Sequence, residues 1–250
     1  MHELSTIADV VAAAHADPQC TWAAQGLNVG GRAWEHEGAV AVACPQLCGR
    51  DRIVVRGAAA AAVRLVREAI DALGPTFVLI GDPPLMGGLL ARTRWLEPCS
   101  FFGWMDGTKR PRHERVHPVR WLARREWHAA SEVLDAAAPW DCVRPWLPGV
   151  RRWAGITDAQ GRLTCTAADA WSVPGLGFVA GLAVLPEARG RGQGQDVTAF
   201  VLEALLAAHG RAALMTDDCN STAGRTLAKL GMSGRQQQVL RVRSAGAFAS

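Results

Sequence analysis

The sequence predicts an α/β fold arranged as two similar halves in tandem, and two observations carry that expectation. Apolar runs of strand length alternate with segments of helical period. The order strand, helix, strand, helix, strand in the first hundred residues returns after Gly177. Gly and Pro stand at the boundaries between these segments, where they end helices or interrupt a ladder. The 250 residues fit one large domain or two small ones, with ample chain to bury a core.

Taken in order, residues 7–14 read as a helix and residues 39–43 and 53–55 as short strands. Residues 58–73 form an alanine-rich helix with Val63, Val66 and Ile70 on its apolar side, stopped by Gly74 and Pro75. A buried strand at 77–80, a short helix at 85–92 and a strand at 100–105 follow. Gly107, Pro111 and Pro118 then interrupt regular structure in a charged segment. This marks residues 109–118 as a basic linker between a domain at 1–108 and another at 119–250. Beyond it, residues 119–122 read as a strand and 127–138 as a helix with Trp127, Ala130, Leu134 and Ala137 on one side. Strands at 153–157 and 163–167 flank Asp158-Ala159-Gln160-Gly161, a hairpin turn with Gly where positive φ is needed. A strand at 212–216, a helix at 222–230 and a strand at 238–242 complete the chain.

The stretch that organises the second half lies between them. Phe178, Val179, Leu182, Ala183, Val184 and Leu185 make a strand closed by Pro186. Val197, Phe200, Val201, Ala204, Leu205 and Ala208 share one face of a helix that Gly210 stops. Joining the two is Arg189-Gly190-Arg191-Gly192-Gln193-Gly194, with Gln195 next. A glycine-rich loop that opens a helix presents backbone N–H groups without intrahelical partners, and the helix dipole adds partial positive charge there. Phosphate binds at such a place, and the guanidinium forks of Arg189 and Arg191 suit it further.

The string LAVLPEARGRGQG resembles motif A of the GNAT acyltransferase superfamily, with Arg189, Gly192 and Gly194 in its three defining places. NSTAGRTLAKLGM is similar to the second motif of that family, through Asn220, Ala223, Lys229, Gly231 and Met232. The resemblance covers the C-terminal half. It implies a mixed, twisted sheet with helices on both faces, and acetyl-CoA or another acyl-CoA as donor. Leu182, Ala183 and Val184 would then meet the pantetheine arm through their backbone, and residues 189–195 with Asn220 would hold the rest of the cofactor. The first half resembles a degenerate copy of the same unit, as in two-domain proteins similar to glycine N-acyltransferase. At its loop position only Arg56 and Gly57 stand before five alanines, which implies that this copy binds no pyrophosphate.

Acyl transfer to an amine needs a neutral nitrogen, donors for the oxyanion and a proton for the leaving thiolate. The second-motif Tyr frequent in the family is replaced by Leu227; the chain has no Tyr, and no carboxylate lies between Gly175 and Pro186. Asp217, Asp218 and Ser221 are the catalytic candidates that remain, against a bland reading as caps and strand ends. Cys219 reads as a buried structural thiol.

The net charge of +4 hides an uneven distribution. Lys109, Arg110, Arg112, Arg115, Arg120, Arg124 and Arg125 face a single acidic residue, Glu114, in the same stretch. Such a stretch is either a solvated linker or a surface for RNA phosphates. Seven scattered cysteines without C-x-x-C spacing point to a reduced, intracellular protein, and no metal site is expected, even at Cys44 and Cys48. His113 and His117 read as solvated linker histidines between prolines, and the ten Trp residues as core and rim packing. The N-terminus has no secretory pattern and no apolar run reaches the roughly 18 residues of a membrane span, so a cytoplasmic protein with no membrane partner is expected. The leading function is an N-acyltransferase moving an acetyl or other acyl group from acyl-CoA to an amine of a small molecule or peptide. A tRNA-dependent aminoacyltransferase that uses the basic stretch is the second reading, and a non-catalytic acyl-CoA-binding protein the third.

Overall fold

The computed structural model describes residues 1–217 and 221–243, which fall into two compact units. One is Met1–Phe102 together with the C-terminal segment from Gln236; the other is Gly103–Arg235. The elements of the first stretch are β1 (His2–Leu4), α1 (Ile7–Ala13), α2 (Pro18–Ala23), β2 (Ala33–His36), β3 (Ala39–Leu47), β4 (Arg50–Arg56), α3 (Ala59–Leu73), β5 (Val78–Gly81) and α4 (Pro83–Leu90). They continue with β6 (Leu96–Gly107), β7 (Arg120–Trp121), α5 (Trp127–Ala137), β8 (Val150–Thr157), β9 (Leu163–Ala170) and β10 (Gly177–Val184). The chain closes with α6 (Gln193–His209), β11 (Ala212–Asp217), α7 (Ser221–Lys229) and β12 (Ser233–Val242).

In the first unit β1, β2, β3 and β4 pair antiparallel in sequence order. The α3 crossover then makes β5 parallel to β4, with Arg52, Ile53 and Val54 opposite Val78, Leu79 and Ile80. β12 pairs antiparallel with the far side of β5. α3 buries Ala62, Leu65, Val66 and Ala69 against Ala41, Ala43, Ile53 and Val55, while α2 packs on β3 and β4. The α2 start follows local chemistry: Pro18 occupies the first turn and the Asp17 carboxylate accepts from the Gln19 and Cys20 amides.

In the second unit β7, β8, β9 and β10 pair antiparallel, and α6 carries the chain over to β11, parallel to β10. Every residue of β9 is buried, which requires cover on both faces of the sheet; α5 and α6 both pack on it. The sheet of each unit is therefore mixed, as expected from the sequence.

The division differs from the sequence expectation at both ends. The basic segment 109–118 groups with the second unit, and the last strand groups with the first, because Gln238, Val239 and Leu240 lie opposite Gly81, Ile80 and Leu79. Local pattern cannot reveal a pairing between strands so distant in the chain. β1, β2 and α2 were not anticipated either; they are short, and their apolar residues show no clear period.

Candidate functional site

β10 and β11 hydrogen-bond only at their beginnings. Gly177, Phe178 and Val179 lie opposite Ala212, Ala213 and Leu214, and the pairing ends there although both strands continue. On its other edge β10 carries a bulge against β9: the register slips between Ala180 and Ala183. Gly181, inside the bulge, has φ of 60°, and a Cβ there would stand 2.5 Å from the buried ring of Trp153. A left-handed glycine thus bends the strand away from β11. The backbone of Leu182, Ala183 and Val184 lies on this splayed end, where among the described residues no strand pairs on the β11 side.

The loop that follows is built on left-handed glycines as well. Gly190 has φ of 76° and Gly192, the N-cap of α6, φ of 83°. The Gly192 carbonyl accepts from the Gln195 and Asp196 amides, whereas the amides of Arg191, Gly192, Gln193 and Gly194 meet no acceptor among the described residues. These N–H groups and the positive end of a 17-residue helix converge beside the splayed strand. Gly194 faces the strand end, since a Cβ there would lie 3.2 Å from Val184 Cγ2.

The side chains of the loop separate into two groups. Arg191 is exposed and makes no ion pair among the described residues. Arg189 turns away to donate from Nε to the Val184 carbonyl and from Nη2 to the Ala137 carbonyl, both at 3.2 Å, and so fastens the end of α5. Gln193 is buried and accepts from the Thr164 hydroxyl at 2.9 Å, and Gln195 meets His113 Nδ1 at 3.1 Å. The donors the loop leaves unused among the described residues are therefore backbone amides and Arg191, and the other polar side chains shape the loop.

Of the catalytic candidates, Asp217 is exposed at the last position of β11, across the opening from β10. Ser221 is the first residue of α7, while Asp218 and Asn220, with Cys219, lie outside the described residues. Leu227, at the place of the missing Tyr, is buried in the core of this unit. The sequence reading passed over Asp141 and Val143, in the segment between α5 and β8. Val143 Cγ1 lies 3.4 Å from where a Cβ of Gly181 would stand, so this segment covers the bulge. Its one outward signal is the run of Pro139, Pro145 and Pro148 around Trp140 and Trp146, which are 72% and 60% exposed rather than packed in a core.

His113 and His117 are half-buried and bound to a carboxylate, not free linker histidines. Asp196, buried in the first turn of α6, accepts from His113 Nε2 at 2.5 Å, His117 Nδ1 at 2.6 Å and the amides of His117 and Val116 at 2.9 and 3.2 Å. Burial pushes the Asp196 carboxyl up, but these hydrogen bonds together outweigh it and hold the group below the usual carboxylate range. A carboxylate at the helix N-terminus offers an acceptor that folds the segment back, which chain pattern alone did not show.

The basic stretch is partly neutralised. Arg115 pairs with Glu203 at 2.7 Å, Arg120 grips Glu126 through both nitrogens, and Arg124 lies over the rings of Trp127 and Trp146. The Arg120 guanidinium, with the Ala123 amide, holds the Glu126 carboxyl down to about 2. Lys109, Arg110, Arg112 and Arg125 form no ion pair among the described residues.

In the first unit the corresponding connection, β4 to α3 to β5, is closed. β4 and β5 pair from Arg52 opposite Val78 to Val54 opposite Ile80, one residue short of the end of β5, and the Val55 carbonyl lies 3.2 Å from where a Cβ of Gly81 would stand. Arg56 at the end of β4 donates to Asp17, Gln19 and Gln237, and Gln237 donates to Asp82. Side chains fill the place that stands open in the second unit. Cys44 is buried in β3 opposite Arg52, and desolvation pushes its thiol up to about 12. Among the described residues no group of three or more His, Cys, Asp or Glu is placed to hold a metal ion, and no helix is long and apolar enough to cross a membrane.

No protein-family model matches the sequence, and no curated protein matches it. Solved structures do. A GCN5-related N-acetyltransferase from Kribbella flavida is 19% identical over 88% of this chain and 93% of its own, with a TM-score of 0.61. A GCN5-related N-acetyltransferase from Sphaerobacter thermophilus is 15% identical over 82% of this chain and 76% of its own, with a TM-score of 0.58. A GNAT-family acetyltransferase from Colwellia psychrerythraea is 11% identical over 97% of this chain and 99% of its own, with a TM-score of 0.55. At these identities the likeness establishes the architecture: the chain has a GNAT-like fold, a mixed twisted α/β sheet with helices.

Proposed function

We propose that the protein is an N-acyltransferase that moves an acetyl or other acyl group from acyl-CoA to an amine of a small molecule or peptide, by direct attack in a ternary complex. The observation that carries this reading is the splay of β10 from β11 beside a left-handed glycine loop at a helix N-terminus. The cleft offers the strand backbone from Leu182 to Val184 for the pantetheine arm and the thioester oxygen. The loop offers the amides of Gly190 to Gly194 for the pyrophosphate, with Gln195 next in the chain and Arg191 adding charge, and Asn220 stays proposed as a further cofactor contact. Arg189 contributes by holding the loop in place. A thioester and an amine held in attack geometry gain a large effective molarity, so positioning supplies much of the rate. Asp217, Asp218 and Ser221 remain proposed for proton handling. The first unit, closed at the equivalent place, is proposed to bind no CoA. A tRNA donor draws less support, because Arg115, Arg120 and Arg124 in the basic stretch are already engaged.

The test is a Gly192→Val, Gly194→Val protein. A Cβ at Gly192 meets nothing within 4 Å, and at Gly194 it meets only Val184, so the fold should survive at a cost of about 1–2 kcal/mol for left-handed strain. CoA affinity should fall at least roughly tenfold, which is a loss of about 1.4 kcal/mol in binding. Parent-like CoA binding by a folded variant would sink the reading.

A further inference from the structure

Asp196, His113 and Gln195 meet at the start of α6 in an order that fixes their hydrogens. Burial raises the Asp196 carboxyl, but the hydrogen bonds it accepts outweigh that and keep it ionised at neutral pH. Its Oδ1 stands 2.5 Å from His113 Nε2, so that nitrogen carries a hydrogen. In the neutral imidazole Nδ1 is then a bare acceptor. It meets the Gln195 side-chain amide at 3.1 Å, and only the NH2 end of that amide can satisfy it. Gln195 Oε1 is left without a partner among the described residues. A proton added at Nδ1 reverses the order: Nδ1 becomes a donor, Oε1 must turn to face it, and the NH2 end takes the free position. Oxygen and NH2 fill nearly the same space, so the turn asks no repacking.

The place matters because Gln195 is the third residue of α6, next to Gly194, whose own amide meets no acceptor among the described residues. The titratable and charged groups around His113 are Asp196 and Glu203 on α6, Glu114, Arg115 and His117 on its own segment, and Cys165 on β9 beside Asp196. Arg115 pairs with Glu203, and His117 Nδ1 donates to Asp196 Oδ2 at 2.6 Å. Burial, and then the Asp196 charge, push the Cys165 thiol up to about 12, so it keeps its proton.

We infer that Gln195 is a switched contact for the diphosphate of the donor, and that His113 is the positioning residue that sets it. With His113 neutral the start of α6 presents a carbonyl oxygen; with His113 protonated it presents an NH2 donor. This rests on the acyl-CoA reading and gives that site a dependence on pH. Binding of the anion takes up a proton from solvent at Nδ1, because the protonated state supplies the donor and adds positive charge at the helix start. Affinity therefore rises as pH falls through the range in which His113 charges.

The probe is dephospho-CoA, which lacks a phosphomonoester and so has no phosphate that titrates near about pH 6. Calorimetry at about pH 8 and about pH 5.5, in buffers of different ionisation enthalpy, compares the parent with His113→Gln, Gln195→Met and His117→Asn. Glutamine at 113 keeps a donor for Asp196 without titrating, so the fold should survive. The parent should bind about tenfold tighter at the lower pH, with net proton uptake. His113→Gln and Gln195→Met should lose that gain, and His117→Asn should keep it. In the unliganded parent, the NMR signals of the Gln195 side-chain amide should shift with the same midpoint as the His113 ring. A gain that is absent from the parent or persists in His113→Gln, or a Gln195 amide indifferent to the His113 titration, overturns the inference. A parent that binds no dephospho-CoA while its Gln195 amide follows His113 overturns the acyl-CoA reading and leaves the switch standing.

Discussion

Replacing Gly181 by Ala tests whether the bulge in β10 is set by one glycine. The residue has φ of 60°, and the added Cβ would lie 2.5 and 2.8 Å from Cη2 and Cζ3 of Trp153. Trp153 is fully buried, so the ring has no solvent into which to swing. Left-handed backbone costs about 1–2 kcal/mol for a residue with a Cβ, and overpacking a core contact about 1–3, so the sum is roughly 2–5 kcal/mol. In a unit of this size that lowers Tm by roughly 5–15 °C. Urea unfolding, followed by Trp fluorescence and repeated in a Trp153→Leu background, separates the two contributions. With the ring removed, Gly181→Ala should cost only the backbone part, and the difference is the coupling energy between the sites. Acyl-CoA affinity should fall in the single variant, because the bulge sets the direction of Leu182 to Val184. An unfolding free energy within about 0.5 kcal/mol of the parent would refute the account, since ordinary surface changes stay inside that range. Equal costs in both backgrounds would show that Trp153 is not the wall.

Two further expectations concern the rest of the chain. Asp196→Ala leaves the two imidazoles and two amides of residues 113–117 without their acceptor, and should cost roughly 3–5 kcal/mol and expose that segment to limited proteolysis. Because the folded carboxyl is held below its unfolded value, the stabilisation is fully present above a pH near 4 and is lost as pH falls through the folded value. Protease protection of the parent segment that persists unchanged down to pH 2 would contradict this. Titration calorimetry with CoA should give one site per chain, since Arg56, Asp17, Gln19 and Gln237 fill the first unit's equivalent place; a stoichiometry of two would show that place to be open.

The sequence by itself determined the elements whose cause is local. The strand before Pro186, the glycines of the loop and the helix ended by Gly210 are written in alternation, left-handed backbone and period, and the structure has them within a residue or two. The loop's unused donors were readable for the same reason, because they are backbone groups that any glycine-rich helix opening presents. Which faces are buried was only half readable. On α6, Val197, Val201 and Leu205 are buried as the period implies, but Thr198, Ala199, Leu202 and Leu206 are buried too, and Ala208 is exposed. Packing around the helix, not its own pattern, decided that. The tertiary structure alone decided where the strands part, that β12 returns to the first unit, that Asp196 folds residues 113–117 onto α6, and that Val143 covers the bulge at Gly181. Each depends on partners far apart in the chain and on desolvation at the place where they meet. A side chain's charge state and spare hydrogen bonds are properties of that meeting point, and the residue's neighbours in sequence do not encode them.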